Sequence, residues 1–220
     1  MELALISDVH SNLPALEAVL EDAGHREIFC CGDIVGYNPF PREVVELLQK
    51  RGVKAIRGNH DHAVATGDTG WLNPYAAAAA EWTMAVLRES DAEFLRSLPE
   101  GYADRRFKAF HGSPRDPLYE YVYGDTPDAV LESFLGEGGI LFLGHTHIPF
   151  VRRLKEGIVL NPGSVGQPRD GDPRAAYAVV DIERGEVELR RVPYDIDLVA
   201  ERIIESGLPE RLAKRLYLGV

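Results

Sequence analysis

The sequence predicts an α/β fold. Three observations lead there: short apolar runs of strand length alternate with amphipathic runs of helix length, polar motifs recur where the apolar runs stop, and no segment approaches the ~20 apolar residues of a membrane span. The 220 residues carry 45% hydrophobic and 27% charged side chains, ordinary values for one globular domain spanning residues 1–220. Leu3–Ser7 ("LALIS") is a buried strand. It runs into "SNLPALEAVLEDAG", where Asn12 caps a helix, Pro14 sits in its first turn, and Leu13, Leu16, Val19 and Leu20 share a face. A second unit follows with "EIFCC" as strand and "FPREVVELLQKRG" as helix, and "VKAIRG" is a third strand. Strand, helix, strand, helix, strand predicts a parallel sheet with right-handed crossovers.

The next stretch reads as two inserted helices covering a face or edge. Asn73 caps the first, with Pro74 at its first position and the run Ala76–Ala80 packing it, together with Trp82; Ser90 and Glu93 form a capping box for the second, which ends before Pro99. In the second half, "RFKAFHG" and "GILFLGH" are strands flanking a helix that starts at Thr126 and Pro127. "FVRRL", "IVLN" and "AAYAVVDI" are further strands, "ERGE" turns the last into "VELRRVPY", and an amphipathic helical tail begins at Asp195.

Cysteine and charge bound the biology. Cys30 and Cys31 are adjacent in a strand, so their side chains point to opposite faces and are expected to be buried thiols. The start "MELALISD" has neither the basic nor the long apolar region of a secretory signal, which predicts a cytoplasmic protein. Thirty-five acids against 24 bases leave a net charge of −11, which disfavours a long nucleic acid as partner. A small anionic substrate remains open where a site supplies its own positive charge.

The polar motifs supply one. "SDVH", "GD" with Asp33, "GNH", "HG" with His111 and "GHTH" close five successive strands, and five of the seven histidines (His10, His60, His111, His145, His147) lie in them. Ligands bind at carboxyl ends of strands in such sheets. Residues two apart on a strand face one side, so Asp8 aims with His10 and His145 with His147 if the extended backbone continues past the strand ends. Two carboxylates, the Asn59 amide and four histidines exceed what one four-coordinate ion needs and suit two ions sharing a bridging carboxylate. An imidazole-rich set favours Mn, Fe, Co, Ni or Zn over Mg.

In this order, "SDVH", "CGDIVG", "RGNHD", "HGSP" and "GHTH" resemble the full signature of the calcineurin-like metallophosphoesterase superfamily, followed by a family-like "NPGSVGQPRDGDPRAAYAVVD". The resemblance implies a four-layer αββα fold, a β-sandwich flanked by helices, in place of a single open sheet. It implies that Asp8, His10, Asp33 and His147 bind the first metal, and that Asp33 bridges to a second held also by Asn59, His111 and His145. Where the protein phosphatase branch reads GD-x-V-D-R-G, this chain reads "GDIVGYNPFP", which is more similar to the small bacterial and archaeal phosphodiesterase-like members.

The implied activity is hydrolysis of small phosphodiesters or nucleotide-type phosphate esters by in-line attack of a metal-bridging hydroxide. His60 is expected to protonate the leaving oxygen, with Asp61 orienting it. Ser164, Gln167 and Arg169 are candidates for contact with the substrate, with a plain turn at "NPGS" as the alternative. Tyr119, Tyr121 and Tyr123, in the loop after His111, are candidates for stacking a nucleobase. They equally suit loop packing or a contact between copies in a homo-oligomer. Hydrolysis of dinucleoside polyphosphates, a protein or small-molecule phosphatase, and a noncatalytic scaffold of the same fold are the alternative functions.

Overall fold

A computed structural model describes residues 2–136 and 138–220. The first apolar run is β1 (Glu2–Ile6), and α1 (Leu13–Ala23) follows with the Asn12 Oδ1 accepting from the Ala15 N–H, as the cap predicts. Strand β2 (Glu27–Cys30), helix α2 (Pro41–Lys50) and a two-residue β3 (Lys54–Ala55) complete the first repeat. β1, β2 and β3 pair in parallel. The third strand is shorter than "VKAIRG" suggests because the chain turns at Gly58 into a helix that the sequence pattern did not reveal, α3 (Asn59–Thr66). Its residues lack an apolar stripe, so it leaves no periodic trace.

The two inserted helices are α4 (Pro74–Val86) and α5 (Glu89–Ser97). Asn73 caps α4 as expected, accepting from the Tyr75 and Ala76 N–H groups. The predicted Ser90–Glu93 box is corrected: Arg88 is the N-cap, and the Asp91 carboxylate accepts both its backbone N–H and its guanidinium. The nearly buried Asp91 won this role because it can reach back over the first turn to two donors on one residue, which Glu93 cannot.

The remaining elements are β4 (Gly101–Ala103), β5 (Lys108–Phe110), α6 (Asp128–Leu135), β6 (Gly139–Phe142), β7 (Phe150–Arg153), β8 (Gly157–Asn161), β9 (Ala175–Asp181), β10 (Glu186–Val192), α7 (Ile196–Glu205) and α8 (Glu210–Leu218). Strand β4 has no counterpart in the sequence reading, and the helical tail is two helices. Two five-stranded sheets result, ordered β10-β9-β1-β2-β3 and β4-β5-β6-β8-β7. Each is mixed: β9 joins β1 antiparallel, whereas β5, β6 and β8 run parallel with β4 and β7 antiparallel at the edges.

The sheets face one another, and alternation along each strand assigns its side chains to layers. Leu3, Leu5, Phe29, Ala178 and Val180 from the first sheet meet Ala109, Ile140, Phe142, Ile158 and Leu160 from the second in one buried cluster. The other faces of β1, β2 and β9, carrying Ala4, Ile6, Ile28, Cys30 and Tyr177, are covered by α1, α2 and the inserted helices. Helix α6 covers the outer face of the second sheet through Leu131, Phe134 and Leu135. This is the αββα arrangement. Cys30 lies in the outer cluster and Cys31 in the inner one, both free and buried, and burial raises both thiols. No helix of the described residues is long and apolar enough to cross a membrane.

The corrected cap is testable. Asp91→Ala should lower stability by about 1 to 2 kcal/mol in urea denaturation, whereas Ser90→Ala should change it by less than about 0.5 kcal/mol. The reverse order would restore the Ser90 box.

Candidate metal centre

Loops at the carboxyl ends of β1, β2, β3, β5 and β6 bring the motifs together. The loop after β1 is laced to the loop after β2 through backbone bonds: Asp8 N–H to Gly32 O, His10 N–H to Asp33 O and Ser11 N–H to Ile34 O, at 2.9 to 3.0 Å. The turn after β6 is tied to the second sheet by Gly144 N–H to His111 O at 2.9 Å. These turns are not extended. Asp8, His10, Asp33, His145 and His147 all have φ between 47° and 68°, which corrects the expectation that the strand backbone runs on through the motifs. Such left-handed residues cost about 1 to 3 kcal/mol each and cluster where function demands them.

The coiled backbone separates what strand periodicity would pair. Asp8, His10, Asp33 and His147 form one cluster of metal-ligating atoms, and Asp33, His111 and His145 form another. Asn59 belongs with the second, its Oδ1 3.1 Å from His111 Nε2. Asp33 is common to both: its Oδ2 lies 3.5 Å from His10 Nε2 and 3.3 Å from His111 Nε2, while its Oδ1 accepts the His60 N–H at 2.8 Å. Gly58 permits this approach, since a Cβ there would stand 2.1 Å from Asp33 Oδ1.

The donor set fits cations, for a reason independent of resemblance. His10 Nδ1 lies 3.1 Å from Val35 O, His111 Nδ1 2.8 Å from Cys31 O, and His147 Nδ1 2.6 Å from Gln167 O. A carbonyl only accepts, so each Nδ1 carries the proton and each Nε2 presents a lone pair. His10 Nε2 and His147 Nε2 nevertheless face each other at 3.1 Å, with Asp8 Oδ1 3.2 Å from the latter. Three acceptors converging in a buried space repel unless a cation lies among them. Asp8 Oδ1 and His145 Nε2 are likewise buried with no hydrogen-bond partner among the described residues.

Ionisation supports neutral rings at three of the four histidines. Burial holds His10 and His147 below the ordinary imidazole range, and burial together with the charge of His111 pushes His145 down to about 3. At His111 burial is outweighed by the Asp33 carboxylate, and the ring is raised to about 9. That position calls for positive charge, as a proton or as a metal.

The other sequence-selected residues divide. His60 is buried outside both clusters, its ring 4.8 Å from that of His10 and 4.5 Å from that of Tyr37, and its Nδ1 has no partner among the described residues. Burial, opposed by the Asp33 carboxylate, pushes it down to about 4. Asp61 does not orient it. Its carboxylate accepts the Val35 and Gly58 N–H groups at 3.0 Å, which ties α3 to the loop after β2. Ser164 is corrected likewise: it is fully buried, its hydroxyl donates to Asp8 O and accepts from Gln167 N–H, and it holds the Asp8 turn. Gln167 is also fully buried, its carbonyl on His147 and its Oε1 on Arg169.

Tyr121 stacks on the His145 ring at 4.0 Å while remaining 54% exposed, and Tyr123 lies parallel to it with centroids 6.2 Å apart. Tyr119 instead packs against Trp71 at 5.8 Å. Three contributors escaped the sequence reading. Tyr37 packs against both His10 and His60, Asn38 donates to His10 O, and Asn161 donates to Gly144 O. Only the Asn161 turn left a signal, in "NPGS".

Comparison with known proteins shows the family. Residues 1–185 match the model of the calcineurin-like phosphoesterase superfamily domain. An uncharacterised protein of Methanocaldococcus jannaschii is 40% identical over 241 aligned positions, covering 99% of this chain and 98% of that protein. The Escherichia coli phosphodiesterase YfcE is 29% identical over 194 positions, covering 82% of this chain and 88% of its own. The crystal structure of a metallophosphoesterase from Sphaerobacter thermophilus superposes with a TM-score of 0.88 at 39% identity, covering 100% of this chain and 99% of that one.

Because Asp33 alone serves both clusters, Asp33→Asn should strip more metal than replacement of any other ligand. Elemental analysis after Mn²⁺ reconstitution checks this. An Asp33 variant that retains as much metal as His145→Ala overturns the shared-ligand assignment.

Proposed function

The chain belongs to the calcineurin-like phosphoesterase superfamily and is a metal-dependent hydrolase of phosphoester bonds, and from that premise we propose that it hydrolyses small phosphodiesters, including nucleotide-type esters, at a binuclear centre. The observation that carries this reading is the pair of ligand clusters sharing one oxygen of Asp33. Asp8, His10, Asp33 and His147 would hold one ion; Asp33, Asn59, His111 and His145 would hold the other. Two divalent transition ions, manganese foremost and iron, nickel, cobalt or zinc within reach of the same donors, supply Lewis acidity and an ionised water when bound.

The chain's own residues do the rest. The sandwich holds the ligands rigidly, so little reorganisation accompanies the reaction. The buried turns exclude bulk water, which strengthens attraction for the phosphoryl oxygens. His60 stands beside the centre without ligating and donates to the leaving oxygen, its position fixed by its backbone bond to Asp33 and by contact with Tyr37. Tyr121, half-exposed over His145, offers a face to an aromatic leaving group or base.

Turnover of bis(p-nitrophenyl) phosphate with Mn²⁺ should exceed that of p-nitrophenyl phosphate, with diadenosine tetraphosphate and cyclic nucleotides completing the panel. A clear preference for the monoester would overturn the diesterase reading. His60→Ala should keep its metal and lose roughly 10² to 10⁴ in kcat on substrates with poor leaving groups, and lose less with p-nitrophenolate. Equal losses would assign His60 to the phosphoryl oxygens.

Tyr121→Ala should raise KM for a nucleotide ester by roughly 5- to 150-fold, the range of one base stacked on an aromatic side chain. The same variant should leave p-nitrophenyl phosphate nearly unchanged. Equal effects on both substrates, with altered light scattering, would place the tyrosine loop in a contact between copies.

A further inference from the structure

Two arginines stand beside the centre, Arg169 with no acidic partner among the described residues and Arg215 with only the carboxylate of the last residue, Val220. Arg169, in the loop after β8, donates from Nη2 to Tyr37 Oη at 3.3 Å and to Gln167 Oε1 at 3.0 Å, with its Cζ 5.7 Å from the Tyr37 ring centroid. Its Nε is buried and has no partner among the described residues. Arg215, on α8, places its Cζ 6.0 Å from the same ring, and its Nε donates to Val220 O at 2.6 Å. Neither guanidinium pairs with an aspartate or glutamate among the described residues, although acids outnumber bases by 35 to 24 in the chain. Of the other arginines of the neighbourhood, Arg174 pairs with Asp172 and Arg191 with Asp170, while Arg211 on α8 lies over the Tyr75 ring.

The two are held together by construction. Helix α8 ends at Gly219, in the left-handed conformation, and Gly171 N–H donates to Gly219 O at 2.9 Å. A Cβ on Gly219 would lie 2.8 Å from the Asp172 backbone, so the helix end is pressed onto the loop that carries Arg169. Burial and the neighbouring Arg169 charge both disfavour the charged form of Arg215. Two guanidinium groups kept close in half-buried positions, with an unused donor on Arg169, are stabilised by an anion that both can reach. The shared Tyr37 ring places them at the rim of the first ligand cluster, since Tyr37 also packs on His10 at 4.6 Å.

We propose that Arg169 and Arg215 form an anion subsite flanking Tyr37, which takes a second phosphate of the substrate while the scissile phosphate lies at the ligand clusters. The substrate class is therefore a phosphodiester that bears a further phosphate, as in a nucleotide with two phosphorylated positions. This rests on the phosphodiesterase reading above, which places the scissile group at the two clusters. Arg215 lies beyond residues 1–185, the part of the chain that matches the superfamily model, so the C-terminal helices add the subsite to the common domain.

The test measures binding, so it does not depend on turnover. Isothermal titration of the purified, manganese-reconstituted protein with thymidine 5′-monophosphate and thymidine 3′,5′-bisphosphate should give at least tenfold tighter binding of the bisphosphate. Arg215→Met should reduce that ratio below threefold without weakening the monophosphate, and Arg215→Lys should keep part of it, which separates loss of charge from loss of fold. Equal affinities in the unmodified protein, or a tenfold ratio that survives in Arg215→Met, overturns the subsite. Hydrolysis of thymidine 5′-(p-nitrophenyl phosphate) provides the separate control: failure of that reaction with the tenfold binding ratio intact counts against the phosphodiesterase reading and leaves the subsite standing.

Discussion

The structure depends on a repulsion that the fold creates. Backbone carbonyls of Val35, Cys31 and Gln167 fix the protons of three imidazoles on Nδ1, so that the Nε2 lone pairs turn inward toward Asp8 and Asp33. Acceptors set 3.1 to 3.5 Å apart in a dry space are stable only around positive charge. The carbonyls involved belong to loops whose courses are set by the sheets. The cation requirement is therefore a property of the whole sandwich, and no single ligand carries it.

The inner layer makes that requirement enforceable. Asp8 and Asp33 descend from the first sheet, and His111, His145 and His147 from the second, so the clusters span the two. Leu5, Phe29, Phe142 and Leu160 pack directly beneath, between the sheets. Sliding one sheet over the other would disturb a close-packed interior before it relaxed the ligands. The left-handed residues fit the same picture. Each is costly alone, and each is overdetermined by bonds between loops, such as Gly166 N–H to Asp8 O and His145 N–H to Asp8 Oδ2.

The residues that the structure gathers into two candidate ligand clusters were legible in the sequence because five motifs sat at the ends of apolar runs and shared one chemistry. Their partition was not legible from periodicity. An alternation of two assumes extended backbone, and the motifs leave it at the very residues concerned, so His145 and His147 part company although only Thr146 separates them. Asp61 and Ser164 misled in the opposite way. Both are polar and close to the centre, yet they bind backbone groups that the turns leave unpaired. A buried loop needs such partners as much as a reaction needs catalysts, and composition does not distinguish the two uses. Helix α3 and strand β4 were invisible because neither carries an apolar repeat. Arg215 was invisible because its neighbours, Tyr37 and Arg169, come from distant loops.

An acidic protein that acts on anions has to separate its long-range field from its local one. At physiological ionic strength charges farther apart than about 8 Å are largely screened, so a net charge of −11 spread over the surface acts weakly on a small ester already in the cleft. It acts fully on an extended polyanion, whose many phosphates meet that surface at once. Inside the cleft the balance reverses: two carboxylates are set against the cations that the donor set demands, and Arg169 adds a charge that no acid among the described residues neutralises. Under the proposed function, the placement of the charges disfavours an extended polyanion relative to a small ester.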